Sequence, residues 1–133
     1  MNVFADTNFL VSAFATRGLS ADVFQVILSE HRLMTGEFVL NELFRVLTMK
    51  LNVPAKIARE AEQLLRRHHV EPIPDHPSEI PVRDEDDRWV LESAIRAKAD
   101  ILITGDKDLL DLAAEVSELK IVTPREFWEL LQS

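Results

Sequence analysis

The chain has 133 residues, 47% of them hydrophobic, which is enough apolar material for a real core and predicts a single domain over residues 1–133. Cysteine is absent, which excludes disulfides and thiolate metal sites. No apolar run approaches the ~18 residues a membrane helix needs. The N-terminus lacks a basic leader, so the expected location is cytoplasmic, with no membrane contact. The formal net charge of -8 argues against a broad nucleic-acid surface, since phosphate contacts require Lys and Arg. It is tolerable if many acids share a pocket that binds metal, and it suits a basic partner.

In chain order, residues 2–6 are a first strand, because Val3 to Ala5 are an apolar run suited to burial on both faces. A helix from Thr7 carries Phe9, Leu10, Ala13 and Phe14 at helical spacing and ends near Gly18. Ser20 is placed to cap a second helix with Val23, Phe24, Ile27 and Leu28 inward. Residues 32–35 form a second strand closed by Gly36. A third helix turns Val39, Leu43, Val46 and Leu47 inward. Pro54 suits the first turn of a fourth helix, which buries Ile57, Ala61, Leu64 and Leu65.

Residues 70–73 read as a short edge strand, and the prolines of residues 72–83 as a loop. Asp84 to Asp87 open a fifth helix with Val90, Leu91 and Ala94 inward. Residues 101–104 are a strand, residues 108–114 a short helix and residues 120–122 the last strand. Thr123-Pro124-Arg125-Glu126 is a capping box with Pro at the first helical position, starting a helix that contains Phe127, Leu130 and Leu131. Short strands alternating with helices predict a three-layer α/β/α sandwich around a parallel sheet of four to five strands.

Four acids break this pattern. Asp6 ends the first strand, where open parallel sheets bind ligands, although it reads equally well as an N-cap. Glu42 shares a helix face with Val39 and Val46, and a carboxylate buried there is costly unless paired or metal-bound. Its pairing alternative is Arg45. Asp87 precedes Val90, Leu91 and Ala94 by three, four and seven residues, which turns it inward. Its bland alternative is favourable placement at a helix N-terminus. Asp84 is the better N-cap there.

Asp106 and Asp108 follow the 101–104 strand, and a turn explains only one of them. Capping of the next helix accounts for Asp108 better than a ligand role does. Carboxylates brought this close need compensation. An oxygen-only set without Cys or spaced His favours Mg²⁺ or Mn²⁺, and all four His read as structural or exposed. Arg17, Lys50, Arg59, Arg66, Arg67 and Lys107 are candidate phosphate contacts.

The segments Val3-Phe4-Ala5-Asp6-Thr7-Asn8, Asn41-Glu42, Arg83-Asp84-Glu85-Asp86-Asp87 and Thr104-Gly105-Asp106-Lys107-Asp108-Leu109-Leu110 resemble, in this order, the PIN-domain family and within it the VapC-like toxin ribonucleases. The resemblance implies a sheet of order 3-2-1-4-5. It implies Asp6, Glu42, Asp87 and Asp106 as the catalytic and metal-binding tetrad, with Thr7, Asn8 and Thr104 orienting them. It further implies Mg²⁺- or Mn²⁺-dependent cleavage of RNA, a homodimer, and neutralisation by a cognate antitoxin. Glu85 departs from the pattern, since relatives often carry Pro there.

Two rivals stand beside this reading. A haloacid-dehalogenase-like aspartyl-phosphate phosphatase also begins with a strand-end Asp, but it needs an acid where this chain has Asn8. A catalytically silent RNA- or metal-binding module would keep the pocket without turnover.

Overall fold

In the computed structural model, residues 1–132 are described. Five parallel strands lie in the order β3-β2-β1-β4-β5. They are β1 (Asn2–Ala5), β2 (Arg32–Gly36), β3 (His69–Glu71), β4 (Ile101–Ile103) and β5 (Lys120–Val122). Between them run α1 (Thr7–Ala15), α2 (Leu19–Glu30), α3 (Glu37–Arg45), α4 (Ala55–Leu65), α5 (Glu85–Arg96), α6 (Lys107–Leu110) and α7 (Pro124–Leu131). Successive strand residues point to opposite faces, and Val3, Phe4 and Ala5 are each fully buried. Both faces of the sheet are therefore covered. Helices α2 and α7 pack together, as do α3 and α5. This is the expected three-layer sandwich with the expected strand order.

That order places the site. The chain lays down β1, β2 and β3 in one direction, then returns to add β4 against the other side of β1. The β1–β4 seam is the point where the winding reverses, and the carboxyl ends of both strands open there into a crevice. Register is tight across the seam, with Phe4 opposite Leu102 and Ala5 opposite Ile103.

Several local expectations need correction. Strand β1 ends at Ala5, because Asp6 has already become the N-cap of α1. Helix α2 starts at Leu19, capped by Gly18 rather than Ser20. Gly18 sits at φ 142, a backbone conformation open chiefly to glycine. Strand β3 covers His69–Glu71, earlier than the predicted 70–73, since Pro72 has no N–H for the ladder. In α4 the buried stripe is Ala58 and Leu65, while Ile57 is half exposed. In α7 Phe127 is buried and Leu130 exposed, although the Thr123–Glu126 capping box forms in both directions as read. The helix predicted for 108–114 divides into α6 and a 3₁₀ turn at Ala113–Glu115.

Helix α3 does not run straight into the loop before Pro54. It passes into a π-type turn, Val46–Lys50, in which the Leu51 N–H donates to the Val46 carbonyl at 3.1 Å. The Thr48 hydroxyl donates to the Phe44 carbonyl at 2.8 Å, a side-chain bond of the kind that bends helices. Arg66 forms a bidentate pair with Glu37 at 2.7 and 2.8 Å and also meets Glu62 at 2.9 Å. It ties α4 to α3, which removes it from the candidate phosphate contacts.

Leu102 on β4 is fully buried between β1 and β5. Leu102→Ala is expected to cost about 2–5 kcal/mol of stability. Urea denaturation measures it, and a loss below about 1 kcal/mol would contradict the core position assigned to β4.

Candidate metal centre

Asp6 and Asp106 reach the crevice from adjacent strands, and one hydroxyl connects them. Thr104 Oγ1 donates to Asp6 Oδ2 at 2.7 Å and accepts from the Asp106 N–H at 2.9 Å. The other Asp6 oxygen, Oδ1, accepts from the Thr7 N–H at 2.7 Å. Asn8 Oδ1 accepts from the Gly105 N–H at 2.9 Å, which stitches the two loops together a second time. Of the three residues expected to orient the acids, Thr104 and Thr7 contact Asp6 and Asn8 contacts Gly105 instead; Thr7 acts through its backbone, and its buried hydroxyl finds no partner among the described residues.

Asp87 enters from α5. The start of that helix is held from outside: Asp84 Oδ1 accepts from the Asp86 N–H at 3.0 Å, and the Arg88 side chain donates to the Ser78 carbonyl at 2.8 Å. With the cap supplied by Asp84, Asp87 is free to face inward. It is 6% exposed, and its Oδ2 is buried with no hydrogen-bond partner among the described residues. Glu42 lines the opposite wall from α3. Its side chain is 26% exposed and lies 3.8 Å from Arg45, so it is a crevice-edge group with a loose cationic neighbour, not the buried acid expected from the α3 pattern.

All four predicted acids line one crevice of about 670 Å³, together with Asp84 and Asp86. The tightest grouping within reach of one ion differs from the predicted four: one oxygen each from Asp87, Asp106 and Asp108 lie within 4.8 Å of one another. Asp108 is not the helix cap. Asp106 holds that role, accepting from the Asp108 and Leu109 N–H groups at 2.8 and 3.4 Å, and the Asp108 carboxylate is left free to join the cluster. Both acids of the Asp-Lys-Asp turn therefore join this grouping, although Asp108 is not among the residues lining the crevice. Lys107 is exposed and is not among the residues lining the crevice. No histidine falls in a metal-holding group among the described residues.

Burial pushes the Asp6 carboxyl up to about 6, against the hydrogen bonds from Thr104 and Thr7 and with Glu42 and Asp106 adding repulsion. Burial, then repulsion from Asp106, Asp6, Asp84 and Asp108, pushes Asp87 up to about 8. Hard carboxylate oxygens with an orphaned buried acceptor among them fit a divalent cation that prefers oxygen ligands. They do not fit zinc, which favours nitrogen and sulfur.

A family model described as PIN domain matches residues 2–108. An uncharacterized protein of Methanocaldococcus jannaschii, MJ1680, is 30% identical over 141 residues, covering 97% of this chain and 90% of its own length. Among solved structures, VapBC2 from Rickettsia felis, bound to a DNA fragment from its promoter, superposes with a TM-score of 0.67 at 12% identity. It covers 92% of this chain and 98% of that one. VapC20 from Mycobacterium tuberculosis, a toxin that cleaves the sarcin-ricin loop, superposes with a TM-score of 0.60 at 19% identity, covering 89% and 98%. At these identities the two structures share the fold with this chain.

Folded Asp6 and Asp87 hold protons that the unfolded chain releases near 3.8. The folded state thus binds more protons across the interval up to about 8, and metal-free stability falls as pH rises through it. Thermal melts in chelator at pH 5 to 8 should show this decline, and Asp87→Asn should flatten it. Millimolar Mg²⁺ or Mn²⁺ should raise Tm more at pH 8 than at pH 5, because the ion and the protons compete for the same oxygens. An unchanged slope in Asp87→Asn would sink this electrostatic assignment.

Proposed function

We propose that this chain, which belongs to the PIN-domain family, is a Mg²⁺- or Mn²⁺-dependent endoribonuclease built as a single nuclease domain. The observation that carries the reading is the convergence of Asp6, Glu42, Asp87 and Asp106 on one crevice at the β1–β4 seam, with a buried Asp87 oxygen left unpartnered. In this reading Asp6, Asp87 and Asp106 hold the ion, Asp108 adds a fourth nearby oxygen, and Glu42 completes the site from across the crevice. A divalent cation bound there supplies Lewis acidity and neutralises charge at the phosphoryl group.

The protein's own groups do the positioning. Thr104 and the Thr7 N–H each occupy one Asp6 oxygen with a hydrogen bond, which fixes the plane of the carboxylate. Capping of α6 holds Asp106 through one oxygen, Oδ1, which accepts both N–H groups and leaves Oδ2 to face the crevice. Glu42, partly exposed at the crevice edge, is suited to accept a proton from the attacking water. Water adds to phosphorus, the bond to the 3′ oxygen breaks, and that oxygen takes a proton from solvent, leaving 5′-phosphate and 3′-hydroxyl ends. Single-stranded or looped RNA enters such a crevice more readily than a stiff duplex.

The similarity to VapC structures supports a narrower role: the toxin of a toxin–antitoxin pair, acting in the cytoplasm as a homodimer and silenced by a cognate antitoxin. No described helix is long and apolar enough to cross a membrane. The phosphatase alternative lacks its second acid, because Asn8 occupies that position and spends its Oδ1 on the Gly105 N–H.

Incubation of the folded protein with single-stranded RNA tests the reading. Cleavage is expected with Mg²⁺ or Mn²⁺, none is expected in chelator, and Asp6→Asn and Asp106→Asn should each lose at least ~10²-fold in kcat, the scale on which pre-organised electrostatic groups act. Cleavage that survives in folded Asp6→Asn defeats the assignment. Metal and RNA binding without turnover in the unaltered protein would favour the silent binding module instead.

A further inference from the structure

The acid cluster explains how a cation is held but not how a polyanion approaches it. Six carboxylates line the crevice, and the cations among its lining residues are two, Arg45 and Lys50. Both come from the end of α3 and its π-type extension. In a regular α-helix two residues five apart point about 140° away from each other, since each advances the helix by about 100°. An i→i+5 turn brings them back into register. The Leu51-to-Val46 bond is that turn, and the pairs Arg45 with Lys50 and Val46 with Leu51, each five residues apart, all line the one crevice. Turns of this kind concentrate at functional sites.

Lys50 is exposed with no carboxylate within salt-bridge distance among the described residues, and Arg45 is 58% exposed with only the 3.8 Å approach of Glu42. Val11 and Ala15 line the same crevice, and with Val46 and Leu51 they offer an aliphatic surface able to cover one face of a base.

We infer that Arg45 and Lys50 form a phosphate clamp, which the π-type turn aligns. They hold the RNA backbone beside the phosphate that the acid cluster addresses. The inference rests on the ribonuclease reading above and deepens it. The two residues are positioning groups: they take up neighbouring phosphates and leave the cation site untouched. The clamp accounts for RNA recognition by a chain of net charge -8, since cations are needed only along the path of the strand.

The test measures binding of a fluorescent single-stranded RNA by anisotropy across a salt series, with Mg²⁺ present and Asp6→Asn as the parent to suppress turnover. Each phosphate contact contributes a slope of about 0.7 in log affinity against log salt for single strands. Arg45→Ala with Lys50→Ala should therefore lower the slope by about 1.4. Arg45→Lys with Lys50→Arg should retain it. Lys98→Gln, an exposed cation just before β4 at the opposite end of the strands, should leave it unchanged. In the otherwise native enzyme the double alanine variant should raise KM at least tenfold with little change in kcat, and its Mg²⁺-induced Tm shift should match the unaltered protein. A slope equal to that of the parent overturns the clamp alone. Failure of the unaltered protein to bind or cleave RNA overturns the ribonuclease reading and the clamp with it.

Discussion

A carboxylate withdrawn from water is tolerable only with compensation, and Asp6 is 4% exposed with further acids facing it across the same crevice. The Thr104 hydroxyl and the Thr7 N–H satisfy both Asp6 oxygens but bring no positive charge. The nearest cationic contact in the crevice is the distant Arg45–Glu42 approach, and it does nothing for Asp87. The folded chain therefore carries an electrostatic debt at one place, and two outcomes can relieve it. Protons do so when metal is absent, which is why Asp6 and Asp87 titrate high. A divalent cation bound there would do so by displacing those protons.

The fold makes this concentration possible without loss of the core. Parallel strands have both faces buried and leave only their ends for chemistry. The β1–β4 seam is the one position where two strand ends open side by side as the winding reverses. Strand β4 ends at Ile103, one residue short of the expected 101–104, and Thr104 follows it fully buried, so burial holds in place the hydroxyl that joins Asp6 to Asp106. Helix α5 adds Asp87 as a rigid arm because Asp84 has already capped the helix. A functional constellation needs placement to about half an ångström, and rigid elements on both sides of this crevice are suited to give it.

The strand pattern and the inward turn of Asp87 are legible because each depends on short-range periodicity, whereas the same reasoning buries Glu42, which lies at the crevice edge. Asp87 is a clear case: three apolar residues at helical spacing show which way it points. Asp108 was harder to read. Two acids in one turn compete for a single cap, and sequence alone does not say which wins. Here Thr104 receives the Asp106 N–H two residues on while donating to Asp6, a contact that only the tertiary fold supplies. Arg45 was weighed only as a partner for Glu42, because α-helical spacing separates it from Lys50, and the π-type turn that reunites them has no reliable signature. Asp86 was passed over as part of a helix-opening acidic run, although it lines the crevice. The Ile57 error has a similar origin: in a short amphipathic helix, the choice between adjacent apolar residues is made by the neighbouring helix.

Diffraction from crystals soaked in Mn²⁺, recorded at a wavelength where manganese scatters anomalously, tests the central claim most directly. The account predicts a strong anomalous peak within bonding distance of Asp87 and Asp106, with Asp6 or Asp108 oxygens completing the inner contacts. A crevice without a peak at millimolar Mn²⁺ and pH 8, in crystals whose carboxylates keep the positions described, would contradict it.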